Sequence, residues 1–302
     1  MITKPLAQTG ESVTEVGLGT WSYHGGVEPL RKGLEAGARF IDTAESYGSE
    51  PVVGQAVAGM RDRVFIATKA SPRNFRYQDV LRAADGSLRR LNVDHIDLYQ
   101  LHEPSYSVPI EETMEAMEKL VDLGKIRFIG VSNFSVTELK RAQKAMRKQP
   151  IVANQVRYNL ADRTIETDLL PYCQANHVTV IAYSPLGRQL RRILDCDPKG
   201  ALPEVAKATG KSISQVVINW CLCKDGVVAI PKGNSVQHVL ENCGASDWRL
   251  TAEHVRRLDN DIRFRRRGRA EIFVRRLIPH NMTNVVKQCI QILPRGLKRH
   301  VN

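Results

Sequence analysis

The sequence predicts an α/β protein, specifically a (β/α)8 TIM barrel with an N-terminal β-hairpin and a C-terminal helical, basic extension. Three observations carry this prediction. Eight short apolar runs alternate with longer segments of helical periodicity. The apolar runs are continuous rather than alternating, which implies burial on both faces, as in a parallel sheet. Eight such units within a chain of 302 residues match a closed barrel, which takes about 250 residues, better than an open sheet.

In chain order, an opening segment turns at Gly10, where a hairpin is expected. The strand candidates then follow: 15–20 (EVGLGT), 39–44 (RFIDTA), 64–69 (VFIATK), 95–102 (HIDLYQLH), 126–132 (IRFIGVS), 152–156 (VANQV), 178–184 (VTVIAYS) and 227–231 (VVAIP). Helical periodicity marks 49–60, 77–91, 111–124, 135–148 and 235–245. A further helix over 251–262 is capped by Thr251, with Glu253 in its first turn. The domain division expected is a barrel over 1–262 and a basic extension over 263–302, packed on the barrel or at a subunit contact.

Hydrophobic residues make up 42% and charged residues 25% of the chain, the balance of a soluble globular protein. No uninterrupted apolar run is long enough for a membrane span, and the opening residues lack the pattern of a secretory leader. The cytoplasm is therefore the expected location. The six cysteines form no CxxC pair, and Cys221 and Cys223 fall two apart on a helical run, pointing to different sides. Neither zinc nor a disulfide framework is expected. The charge of +12 is concentrated: residues 263–302 hold eleven Lys/Arg and one acid, a net of +10, leaving +2 for the rest. RFRRRGR resembles a nucleic-acid patch, but such runs are more commonly solvated surface. Val285, Val286, Cys289, Ile290 and Leu293 recur at helical spacing between Pro279 and Pro294, so a packed amphipathic helix is the favoured reading and nucleic acid is not an expected partner. The assembly expected is a monomer or small homo-oligomer.

In a β/α barrel the chemistry sits at the C-terminal edge of the strands. Reading those edges gives Asp42, then Tyr47 in the following loop, then Lys69 and His102. Each has an ordinary structural use, as a loop cap, a packing ring, a solvated strand end or a satisfied imidazole. Together on one rim they suit carbonyl reduction, which needs a proton at oxygen as hydride reaches carbon. Free tyrosine, with a pKa of about 10, holds its proton tightly at neutral pH. A neighbouring ammonium, Lys69 held by Asp42, is expected to make Tyr47 a better acid, while neutral His102 aligns the substrate oxygen.

These residues lie within ARFIDTAESYG, VFIATK, IDLYQLH, GKIRFIGVSNF, NQVRYN, AYSPLG and IPKGNSVQHVLEN, an ordered set from about Val16 to about Asn260 that resembles the aldo-keto reductase family. The resemblance implies that Asp42, Tyr47, Lys69 and His102 are catalytic, with Tyr47 the proton donor, and that a nicotinamide lies across the barrel mouth. Ser132, Asn133 and Gln155 would bond its carboxamide and Tyr183 would stack on its ring. Backbone around Ser184, Leu186 and Gly187 would approach the pyrophosphate. At the adenosine end, beyond Ile230, Lys232 is retained but Gly233 replaces a serine and His238 stands where relatives carry arginine. Ser235 at a helix start, Glu241 and Asn242 complete that end. NADPH is therefore the expected cofactor, with NADH also admitted. Trp21 matches a substrate-pocket aromatic, and Glu103 would disfavour acidic substrates. A partial GxG at Gly17 and Gly19 lacks the third glycine of the dinucleotide fingerprint of open sheets. The competing reading is a nicotinamide-binding regulatory subunit with little turnover.

Overall fold

A two-stranded hairpin opens the chain: β1 (Thr3–Pro5) and β2 (Ser12–Thr14) pair antiparallel, and Gly10 turns between them at φ 78°. The computed structural model describes residues 1–268. After the hairpin come β3 (Leu18–Gly19), β4 (Phe40–Asp42), β5 (Phe65–Ala70), β6 (Ile96–Leu101), β7 (Ile126–Ser132), β8 (Ile151–Arg157), β9 (Thr179–Tyr183) and β10 (Val227–Ile230). They form one parallel sheet in which each strand pairs with the next. The two ends of the sheet meet where Val16 bridges Ala229 and where the Gly19 amide donates to the Pro231 carbonyl at 3.0 Å. The fold is thus the eight-stranded barrel that the sequence predicts.

The outer layer consists of α1 (Val27–Glu35), α2 (Glu50–Val57), α3 (Tyr77–Leu91), α4 (Ile110–Asp122), α5 (Val136–Ala145), α6 (Leu169–Ala175), α7 (Leu190–Leu194), α8 (Ala201–Thr209), α9 (Ile213–Leu222), α10 (Val236–Cys243) and α11 (Ala252–Asp261). The periodic segments of the sequence become α2 to α5, α10 and α11, and the Thr251 side chain accepts from the His254 amide as the cap of α11. Helices α1, α6, α7 and α8, of five to nine residues, fall outside the periodic segments marked in the sequence. The 15–20 run yields only a two-residue strand. Its glycines bring the chain against its neighbours: a Cβ on Gly19 would lie 2.6 Å from the Ile230 carbonyl oxygen.

Strand alternation separates two cores. Leu6 and Val13 of the hairpin join Phe40, Phe65, Ala67, Leu98, Val152, Ala153, Ile181, Val228 and Ile230 in one inner cluster. The opposite faces, among them Ile41, Ile66, Tyr99 and Val180, pack outward against the helices. Every residue of β5 and β6 is buried, as expected for strands covered on both sides.

Residues Met1–Phe264 form one compact unit. Among the described residues no helix is long and apolar enough to cross a membrane. The helix predicted around Val285–Leu293 lies outside the described residues.

The close approach at Gly19 makes a specific demand. Gly19→Ala forces a methyl group onto the Ile230 carbonyl, and such overpacking costs about 1–3 kcal/mol. Urea unfolding should show that loss, and an unchanged midpoint would mean the seam is looser than described.

Candidate active site

The pleat that fills the barrel also builds the site. Two residues beyond Phe40 the inward position is Asp42, two beyond Ala67 it is Lys69, and two beyond Leu98 and Ala153 it is Gln100 and Gln155. A polar layer therefore rests directly on an apolar plug, with His102 one further step along its strand. Backbone bonds extend the ladder past the strand ends: Thr43 N–H donates to the Ala67 carbonyl at 2.9 Å and His102 N–H to the Ala70 carbonyl at 3.0 Å.

Lys69 is fully buried, and its Nζ donates to Asp42 Oδ2 at 2.6 Å and to the Thr43 carbonyl at 2.8 Å. The other carboxylate oxygen of Asp42 accepts from Gln155 Nε2 at 2.7 Å and from Gln100 Nε2 at 3.4 Å. Burial lowers the Lys69 pKa from its ordinary value, and the attraction of Asp42 opposes that effect.

Tyr47 ends a 3-10 turn over Glu45–Tyr47, closed by Gly48 at φ 72°. Glu45 anchors this turn by accepting from the Ser71 amide at 2.6 Å and from Asn74 Nδ2 at 2.9 Å. The Tyr47 hydroxyl lies 3.3 Å from His102 Nε2, the two rings meet edge to face, and Lys69 Nζ sits 4.9 Å from the centre of the phenol ring. All four predicted side chains thus gather at one point on the rim.

One electrostatic expectation is corrected. Burial outweighs the nearby ammonium: the Tyr47 pKa is raised well above its ordinary value, first by burial and then by the charge of Asp42. Lys69 Nζ lies 4.9 Å from the ring centre, and its charge is partly offset by Asp42 at 2.6 Å. In this state the phenol is held protonated.

The predicted cofactor residues line the same rim. Ser132 Oγ donates to the Gln155 carbonyl at 2.9 Å. Asn133, at φ 62°, donates to the His102 carbonyl at 3.1 Å and accepts from the Tyr183 hydroxyl at 3.0 Å. Gln155 Nε2 donates to Asp42 Oδ1 at 2.7 Å and to Gln100 Oε1 at 3.4 Å. Ser184 at φ 51° and Gly187 at φ 66° bracket a turn that includes Leu186, closed by Gly187 N–H to the Ser184 carbonyl at 2.9 Å.

Farther round, Lys232 is exposed and reaches the Ser22 carbonyl at 3.1 Å. Ser235 caps α10 by accepting from the His238 amide, and the His238 side chain is exposed. Asn242 Nδ2 donates to the Lys232 carbonyl at 3.4 Å, while Glu241 accepts from Ser212 Oγ at 2.7 Å. Trp21 is 44% exposed with the Arg188 guanidinium 4.8 Å over its ring, and Glu103 is half-buried beside His102.

These features fit a dinucleotide. They supply an aromatic ring at the strand ends, a turn with left-handed backbone at both ends, and an exposed lysine three residues before the cap of α10, a helix start that favours phosphate. A cleft of about 460 Å3 lined by Thr9, Gln149 and His177 lies instead where strands begin, at the opposite end of the barrel.

The model of the aldo/keto reductase family matches residues 15–262. The chain belongs to the aldo-keto reductase family. It is 40% identical over 259 residues to the methylglyoxal reductase YeaE of Escherichia coli (strain K12), covering 82% of this chain and 90% of that protein. To the glyoxal reductase of Bacillus subtilis (strain 168) it is 34% identical over 249 residues, with 80% and 87% covered. An aldo-keto reductase from Klebsiella pneumoniae, solved in complex with NADPH, superposes with a TM-score of 0.81 at 37% identity, over 88% of this chain and 98% of that one.

Reading strand ends alone passed over three residues of this aldo-keto reductase site. Gln100 carried a signal, being a polar residue at an inward position of an apolar strand. The Thr43 carbonyl and the Glu45 anchor carried none, because their partners lie 26 residues away.

The Asp42–Lys69 pair is open to direct test. Asp42→Asn removes the partner of a buried ammonium, which costs about 3–5 kcal/mol. The unfolded chain binds a proton at Lys69 more tightly than the folded one, and losing Asp42 widens that gap, so the loss is largest at low pH and should shrink as the pH rises toward the ordinary lysine value. Melting temperatures between pH 7 and 10 measure this, and a pH-independent loss would contradict a buried ammonium.

Proposed function

We propose that this protein reduces small aldehydes and ketones to alcohols with NADPH, with Tyr47 as the proton donor. The observation that carries the reading is the Tyr47 hydroxyl placed 3.3 Å from His102 Nε2 with the Lys69–Asp42 pair directly behind the ring. When bound, the nicotinamide supplies hydride to the carbonyl carbon. Tyr47 Oη gives its proton to the carbonyl oxygen, and the raised pKa keeps that proton in place until charge develops there. His102 Nε2 hydrogen-bonds the same oxygen and aligns it. The phenolate left behind is stabilised by the Lys69 ammonium, which Asp42 fixes in position.

Ser132, Asn133, Gln155 and Tyr183 would hold the nicotinamide end, and the turn from Ser184 through Leu186 to Gly187 the pyrophosphate. Beyond Ile230, Lys232, Ser235, His238, Glu241 and Asn242 would hold the adenosine end. Lys232 favours the phosphate of NADPH over NADH, since its ammonium is exposed and close to the start of α10. Trp21 would form one wall of the substrate pocket, and Glu103 would keep anionic substrates out. The relatives act, by their names, on methylglyoxal and glyoxal; small dicarbonyls of that kind are the substrates we assign. A purely regulatory role is disfavoured by the complete set of Asp42, Tyr47, Lys69 and His102. We place this activity in residues 1–262 of a cytoplasmic protein, with 263–302 an appended basic segment.

Tyr47→Phe should lower kcat for methylglyoxal by about 100-fold or more, the usual worth of general acid catalysis. NADPH affinity should stay near wild type by fluorescence titration. A variant that keeps its kcat would remove Tyr47 from the chemistry.

A further inference from the structure

We infer that Asn159 is a positioning residue for the cofactor-facing turn at Ser184–Gly187 and thereby sets NADPH affinity. The inference rests on the reading above that this turn meets the pyrophosphate.

Asn159 lies just after β8 and is buried, with 2% of its surface exposed. Its Nδ2 donates to the Ser184 carbonyl at 2.9 Å. Its Oδ1 accepts from the amides of Ala161 and Asp162, at 3.0 and 2.9 Å. One carboxamide therefore closes its own turn and reaches 25 residues ahead to the end of the next strand.

The carbonyl it holds is a demanding one. Ser184 adopts φ 51°, a left-handed conformation that is unfavourable for a residue with a Cβ and persists where the surroundings hold it. That carbonyl also accepts the Gly187 amide at 2.9 Å, so it is the fixed point of the whole turn. With Asn159 in place, both lone pairs of the oxygen are used and the peptide plane of Ser184 is set before any ligand arrives.

The Asn159 turn is itself secured. Arg163, buried on the same loop, donates to the Leu160 carbonyl at 3.1 Å and to the Leu258 carbonyl of α11 at 3.2 Å, with its guanidinium 4.8 Å over the Trp220 ring. Asn159 thus transfers the rigidity of the barrel and α11 to a turn whose other hydrogen bond, among the described residues, is its own backbone bond and whose Leu186 packs on the core. Pre-setting the turn removes the ordering cost from cofactor binding.

Asn159→Asp tests this, because the carboxylate still accepts from Ala161 and Asp162 but cannot donate to Ser184. Dissociation of NADPH, measured by quenching of protein fluorescence, should weaken by about tenfold, equivalent to about 1.4 kcal/mol. The kcat at saturating NADPH should stay within about threefold, because positioning the phosphates leaves the hydride step unchanged. Should that variant fail to fold, Asn159→Ser, whose hydroxyl caps the local turn but is too short to reach Ser184, is read on the same scale.

Gly187→Val, which distorts the turn directly at φ 66°, separates the two ideas. Weakened binding in both variants supports the inference. Weakened binding in Gly187→Val alone, whatever the melting temperature of the Asn159 variant, overturns it and leaves the turn's assignment standing. Unchanged affinity in both overturns the assignment itself.

Discussion

A lysine whose side chain is wholly removed from water governs the architecture of this site. Desolvating an ammonium costs several kcal/mol even after relaxation, so Lys69 can occupy the barrel only if partners meet it there. Asp42 meets it at 2.6 Å and the Thr43 carbonyl at 2.8 Å, and Gln155 and Gln100 in turn satisfy the second oxygen of Asp42. Four strands must therefore hold a common register for the pair to exist. The phenol of Tyr47 lies against the same ammonium, so the geometry of the rim follows from satisfying one buried charge.

The barrel supplies that register with a simple device. Inward side chains recur every second residue, and the same faces that pack Phe40, Phe65 and Leu98 in the lumen continue upward into Asp42, Lys69 and Gln100. The apolar plug closes the cylinder from below and leaves the upper layer polar. Loops after the strands add what strands cannot: the Glu45–Tyr47 turn aims the phenol across the mouth, and left-handed residues at Asn133 and Ser184 turn the backbone sharply at the strand ends.

Much of this was legible in the sequence, for physical reasons. Burial on both faces leaves an unmistakable continuous apolar run, so all eight strands could be marked, and residues at strand ends must share a rim once the barrel closes. Asp42, Tyr47, Lys69 and His102 were therefore placed together from strand ends alone. The connections between them were not legible. Gln155 turns its amide to Asp42 across 113 positions, and Asn159 bonds a backbone carbonyl in the next strand; sequence patterns do not show such bonds. The rise in the Tyr47 pKa escaped for a related reason, because it depends first on burial, which sequence does not show for a loop residue. Short helices such as α7 escaped because five residues contain too few turns to establish a period.

If the buried pair exists for chemistry, then it is dispensable for folding. Apolar residues of similar volume can replace a buried ion pair at little cost or with a gain of about 1–4 kcal/mol. The direct test is the double variant Asp42→Leu/Lys69→Met, assayed for melting temperature and for NADPH-dependent reduction of methylglyoxal. The account predicts a protein that still folds cooperatively and whose kcat has fallen by about 100-fold or more. A stable double variant that still reduces the aldehyde at the wild-type rate would contradict it.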